Sequence, residues 1–275
     1  VISETVQREL NGELILLPLH ESGAQQLKLI QQAQCDGAVV VAPSPQMSAQ
    51  YCTAQFDQLP MVIFGANDET LRQAGRVVVD LKTDSMETAI DYLYSRGHRR
   101  FAYIGTHQAT HHYTYRNRAI YEALARHGLE LPKQYCFLNH SRFADWYCAS
   151  RDFAAALPKS KDAPTALVCA GSLMTYAAWQ GIYAAGFSIP EQLSLIGYDC
   201  EVSINPFLSS LEQPLPKMGS HTGRLLASWI RNGKPPRERE HLFKVELFDR
   251  GSIRTIQSQT RSEEHTSELQ SLAYL

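Results

Sequence analysis

Arg76–Gly105 reads RVVVDLKTDSMETAIDYLYSRGHRRFAYIG, and its two ends follow a different periodicity from its middle. Val77–Val79 and Phe101–Gly105 are short β-branched or aromatic runs, the pattern of strands buried on both faces. Between them Met86, Ala89, Ile90 and Leu93 recur at i, i+3, i+4 and i+7, which predicts a helix from about Asp84 to Arg96. Gly97 then supplies a residue able to adopt the left-handed conformation that closes it. Strand, helix and strand in so short a span make a βαβ unit, and such units build parallel sheets covered by helices.

The alternation extends in both directions. Strands are expected at Glu13–Leu17, Ala38–Val41, Met61–Phe64, Arg76–Val79, Phe101–Gly105, Ala166–Cys169 and Ser194–Tyr198. Gly128, Gly186 and Gly233 close three further helical patterns. In open parallel sheets, ligands bind beyond the carboxyl ends of the strands, where loop amides and helix N-termini converge. Those ends carry Pro43-Ser44, Gly65-Ala66-Asn67, Thr106, Ala170-Gly171-Ser172 and Asp199, a small and polar floor.

A chain of 275 residues is long enough for about two domains. The 26 Lys and Arg against 28 Asp and Glu leave a net charge of −2, without the basic excess of a stand-alone nucleic-acid binder. The longest apolar run, Ala38–Ala42, is far below the roughly 18 residues of a membrane helix, and the first ten residues lack the basic and apolar regions of a secretory signal. Six cysteines without a CxxC pair read as reduced, mostly buried thiols of a cytoplasmic chain. GxGxxG, GxxxxGK[ST], HExxH and GxSxG are all missing, so no cofactor, nucleophile or enzymatic activity is assigned. His107, His111 and His112 form H-x3-H-H without a supporting carboxylate or thiol, and no metal is assigned to them. Arg99 and Arg100 are read as solvated groups beyond a helix C-terminus.

Several segments, in order, carry a family resemblance. They are Val78-Val79-Asp80 with GHRRFAYIG (Gly97–Gly105); Arg116 with Ala123-Leu124 and Gly128; Pro164-Thr165-Ala166; Ile189-Pro190 followed by Leu193–Asp199; Pro206–Leu211 with Gln213-Pro214 and Met218-Gly219; and Arg250-Gly251-Ser252. Over about residues 1–256 the chain resembles the lactose/galactose-repressor (LacI/GalR) family of bacterial transcription regulators. The resemblance implies an α/β fold of the periplasmic-binding-protein-like type I: two Rossmann-like subdomains with parallel sheets, linked by three crossovers. It places residues 1–106 and 211–238 in an N-terminal subdomain lacking its first strand, and 107–210 with 239–256 in a C-terminal subdomain. Residues 257–275 are a tail, read as foreign from Arg261, where RSEEHTSELQS resembles a translated sequencing adapter. Val1, Ile2, Val6 and Leu10 fall at helical spacing, so the chain is expected to begin in a helix; the resemblance implies a helix-turn-helix headpiece preceding Val1.

The function implied is effector sensing for a repressor. A small molecule, a sugar, sugar phosphate or nucleoside/purine, sits between the subdomains; operator DNA is read by the headpiece, and the protein is a homodimer. A periplasmic sugar-binding protein of the same fold is the competing reading, against which the six cysteines weigh. Arg116 is the first effector-binding candidate, its planar fork suited to two ligand oxygens, although a solvated helix-terminal arginine has the same local sequence. Asp199 ends the apolar strand LSLIGYD and either binds ligand hydroxyls or caps the following turn. Phe143 would wall the site with its ring, with Trp146 and Tyr147 as competitors and ordinary packing as the alternative. Ser44 and Ser172 complete the set from two strand ends. Gly65 stands where the resemblance expects an acidic ligand-binding residue, and Gly171-Ser172 where it expects Asn-Asp.

Overall fold

The computed structural model describes all residues except 19–21, 83–84, 108–110, 140–142, 160–161 and 257–275. The N-terminal part contains helices α1 (Ile2–Leu10) and α2 (Gly23–Gln32), strand β1 (Ala38–Val41), α3 (Pro45–Tyr51), β2 (Met61–Phe64), α4 (Glu69–Gln73) and β3 (Val77–Leu81). The chain then runs through α5 (Ser85–Ser95), β4 (Phe101–Thr106), α6 (His111–Arg126), β5 (Cys136–Asn139), α7 (Phe143–Ala156), β6 (Ala166–Cys169), α8 (Ser172–Ala184), β7 (Ser194–Tyr198) and β8 (Ser209–Glu212). It ends in α9 (Leu215–Asn232), β9 (Glu240–Phe243) and β10 (Glu246–Phe248). The tail lies outside the described residues.

Two sheets result, ordered β1-β2-β3-β9 and β10-β8-β7-β6-β4-β5, and every pairing is parallel except β10 with β8. The chain passes between them three times: from β3 to β4, from β8 through α9 to β9, and from β9 to β10. This is the doubly wound α/β architecture that the sequence leads one to expect. The expected boundaries at 106, 211 and 239 move, however. β4 and β8 pair within the second sheet, and β9 pairs with β3 of the first. The reason is burial: all six residues of β4 are covered, which its central position between β5 and β6 provides.

Period-two alternation in β3 places Val77 and Val79 in one core cluster and Val78 in another, so each face of the first sheet has its own apolar layer. In α5 the stripe of Met86, Ala89, Ile90 and Leu93 is wholly buried, and Gly97, at φ 91°, ends the helix. All six cysteines are free, with Cys169 and Cys200 buried and Cys148 exposed, so burial of the thiols is less general than expected. Among the described residues no helix is long and apolar enough to cross a membrane.

One expected strand does not form. Glu13–Leu17 has no ladder partner among the described residues and stays irregular, with Leu14, Ile15 and Leu16 at 46, 54 and 88 % exposure. An extended segment becomes a strand only when a neighbour satisfies its N–H and C=O groups. A cavity of about 710 Å³ separates this segment from β1, lined by apolar groups of α1, α2 and β1 together with Leu226 and Ile230 of α9.

His98 fastens the second subdomain. It is fully buried; Nε2 donates to the Arg254 carbonyl (3.0 Å) and Nδ1 faces the Thr165 hydroxyl at 2.9 Å. Burial lowers its pKa from 6.5 to about 4, so the folded protein holds it neutral. Its contribution is complete above pH 6.5 and is lost as pH falls toward 4, because the unfolded chain takes up the proton first. The expected loss is about 3 kcal/mol. In urea titrations between pH 7 and 4, His98→Gln should be less stable than wild type at pH 7 and should lack this acid-induced fall.

Candidate functional site

Beyond the strand ends of the second sheet, α6 projects side chains toward Ala170 and Tyr198. Ala119, Ile120, Ala123 and Leu124 of α6 are buried, and this anchoring fixes Arg116 at 8 % exposure. Its guanidinium donates from Nη1 to the Ala170 carbonyl (2.7 Å), just past β6, and lies 3.4 Å over the Tyr198 ring at the end of β7. Tyr113 adds a second ring 5.7 Å away. A buried arginine is normally tied by several charge-assisted bonds, whereas one of its five donors is committed here among the described residues.

Around it the polar groups form short relays. Tyr103 donates to Asn117 Oδ1 (2.8 Å), and Asn117 Nδ2 donates to the Thr106 carbonyl (2.8 Å). A Cβ on Gly105 would fall 2.4 Å from that Asn117 oxygen, so this close approach requires glycine. The Tyr115 hydroxyl reaches across to the Asn67 carbonyl of the first subdomain (3.2 Å). Burial pushes the Tyr198 phenol above its ordinary pKa. Arg116 and Ser85 of the α5 N-terminus stand beside its hydroxyl and oppose that rise.

From the first sheet comes Asp80, next to last in β3. It is 6 % exposed and accepts one bond, from the Leu81 N–H (2.8 Å). Burial raises its pKa from 3.8 to about 6 against the lowering effects of that N–H and of the Arg116 charge.

The candidates read from the sequence meet different fates. Arg116 is buried at the ends of β6 and β7. The Asp199 carboxylate is occupied: Oδ1 accepts from the Gln213 N–H (2.9 Å) and Oδ2 from the Gln213 side-chain amide. With φ at 53°, Asp199 opens the turn after β7, and its carboxylate ties that turn to Gln213 just past β8. Ser44 caps α3, its hydroxyl accepting from the Met47 N–H (3.3 Å). Ser172 opens α8 after the Gly171 N-cap. Phe143 opens α7, and its side chain lies outside the described residues, as do those of His111 and His112. No group of three metal-ligating side chains occurs among the described residues. Asp80, Tyr113 and Tyr198 were not picked out from the sequence as site residues. A lone carboxylate closing the apolar run VVVD was the available signal for the first.

Residues 90–253 match the periplasmic-binding-protein-like domain family. The chain belongs to that family. As a periplasmic-binding-protein-like domain it is similar to the HTH-type transcriptional repressor PurR of Mannheimia succiniciproducens, at 24 % identity over 237 residues, 84 % of this chain and 68 % of the relative. It is also similar to the repressor CytR of Escherichia coli, at 28 % identity over 172 residues, 61 % of this chain and 49 % of that protein. The domain thus spans between half and about two thirds of these relatives, which are LacI-family repressors. A regulatory protein of the LacI family from Chloroflexus aggregans shares its fold, with a TM-score of 0.77 at 22 % identity over 92 % of this chain and 91 % of the other. The complex of the transcriptional regulator CelR with cellobiose does too, with a TM-score of 0.71 at 23 % identity over 91 % and 77 %.

Proposed function

We propose that this periplasmic-binding-protein-like domain is the effector sensor of a cytoplasmic, homodimeric LacI-type repressor whose helix-turn-helix segment lies outside these 275 residues. The effector binds between the two subdomains, against Arg116, and by favouring one subdomain arrangement over another alters the affinity for operator DNA. Homologues that are repressors rather than enzymes support this reading. Buried Arg116 carries it: a guanidinium that commits one donor to the Ala170 carbonyl among the described residues and stacks on Tyr198. Such a group loses much of its hydration without full replacement, and a ligand oxygen supplies the remainder.

A thermal-shift screen of sugars, sugar phosphates, nucleosides and purines tests it, because a ligand bound only by the folded state raises the melting temperature. Arg116→Ala is expected to weaken a hit roughly 10- to 100-fold, the range of a charge-assisted hydrogen bond. Undiminished affinity in that variant would remove Arg116 from the site.

A further inference from the structure

Residues 215–244 carry seven lysines and arginines against two glutamates, in a chain whose net charge is −2. Part of that excess is gathered beside the first sheet. Lys217, Ser220, His221 and Arg224 recur on α9 at i, i+3, i+4 and i+7, so one face of the helix bears all four. With Pro216 and Phe243 of β9 they line a cavity of about 410 Å³. Arg224 is exposed and has no ion pair among the described residues. Lys217 has one, a 3.1 Å contact with Glu246 of β10 between two exposed side chains, which contributes little.

A histidine pair backs this face. His221 Nε2 stands 3.0 Å from His241 Nδ1, and His241 Nε2 stands 3.2 Å from the Glu238 carbonyl. A carbonyl only accepts, so with both rings neutral His241 holds its proton on Nε2 and its Nδ1 accepts from His221 Nε2. Nδ1 of His221 is then the position at which that ring takes up a further proton. Burial holds the His221 pKa below its ordinary value, the charges of His241 and Arg224 act in the same direction, and Glu238 opposes them.

We infer that this face of α9 is an anion site for a phosphoryl group, gripped by the Arg224 guanidinium, the Lys217 ammonium and the Ser220 hydroxyl. Several donors set around a hollow suit a group whose oxygens point apart better than a flat carboxylate. The N-terminal part of an 18-residue helix adds partial positive charge. A bound dianion opposes the effects that keep His221 neutral, so binding draws a proton onto that ring and strengthens as pH falls.

Calorimetric titration of the 275-residue chain with inorganic phosphate, sulfate, acetate, phenyl phosphate and glucose 6-phosphate tests the inference. Phosphate or one of its esters should bind at millimolar concentration and acetate should not; comparison of phosphate with the two esters tells whether the free ion or an ester is the better ligand. Arg224→Gln and Lys217→Gln should each weaken binding roughly 5- to 10-fold, less than a buried charge-assisted bond would lose because both groups are exposed. Glu246→Gln should tighten it about twofold by freeing Lys217. Sulfate keeps its charge between pH 7.5 and 6.0, so its affinity should rise about threefold or more over that interval, and His221→Gln should abolish the rise. Near-UV circular dichroism checks that the variants fold. Phosphoryl binding lost in Arg116→Ala but unchanged in Arg224→Gln would overturn the inference and leave the effector-binding reading standing. Failure of every phosphoryl probe to bind at millimolar concentration, or acetate binding as tightly as phosphate, would overturn it too.

Discussion

Gly181→Ala should lower the stability of the protein by about 3 kcal/mol or more, the upper part of the range for overpacked interiors. Gly181 lies where α8 crosses α7, and a methyl group there would sit 2.1 Å from the Arg151 carbonyl oxygen and 2.9 Å from its carbon. Both atoms are backbone, so no side-chain rotation relieves the clash; the two helices must separate along the contact that covers the second sheet. For a chain of this size that loss corresponds to a fall of roughly 10 °C in melting temperature. Gly12→Ala is the matched control, since its new methyl would meet nothing closer than 3.6 Å. Calorimetry on both variants should show the first strongly destabilised and the second within about 0.5 kcal/mol of wild type. Equal melting temperatures would mean that the helices do not cross this closely.

Asp80→Asn should act in the opposite sense. The folded state raises the pKa of this carboxyl from 3.8 to about 6, so its ionised form is the disfavoured one. The penalty is complete above pH 6, shrinks as pH falls through that value, and vanishes below about 3.8. An asparagine accepts the same Leu81 N–H without bearing charge, and the unliganded variant should gain about 3 kcal/mol at pH 7. The gain should disappear near pH 4. Its second consequence concerns His98, whose acid-induced loss occupies the same pH window with the opposite slope. In the wild type the two effects offset each other and the stability profile between pH 4 and 6.5 is shallow. Removing Asp80 leaves the His98 slope exposed, so the variant should be more stable than wild type at pH 7 and more steeply weakened by acid. Urea titrations at half-unit pH intervals resolve both effects. A destabilised variant at pH 7 would show that the Asp80 charge already has a partner.

Strands buried on both faces were the most legible part of the molecule. Met61–Phe64, Ala166–Cys169 and Ser194–Tyr198 form at the expected residues because continuous apolar runs have no other way to be satisfied. The strands that went unread are mostly peripheral. Glu240–Phe243 and Glu246–Phe248 are short, half exposed and rich in charge, so only a ladder partner distant in sequence makes them strands. The pairing of β9 with β3 moves the boundary expected at 239, while those at 106 and 211 move because β4 and β8 belong to the second sheet. At the site, Arg116 was found through the resemblance, whereas Asp80 and Asp199 look alike in sequence: each is an acidic residue at the end of an apolar strand. What separates them is Gln213, fourteen residues beyond Asp199, which satisfies one carboxylate and leaves the other without an equivalent partner.

The first sheet stops at β1, whose outer side meets the apolar cavity and the irregular Glu13–Leu17 segment rather than another ladder. A row of vacant amide and carbonyl groups above an oily trough is the template on which protein fibres and swapped oligomers grow. Handling of the isolated chain is therefore governed by concentration as much as by temperature, and crowding many molecules together invites each to lend its neighbour the missing rung.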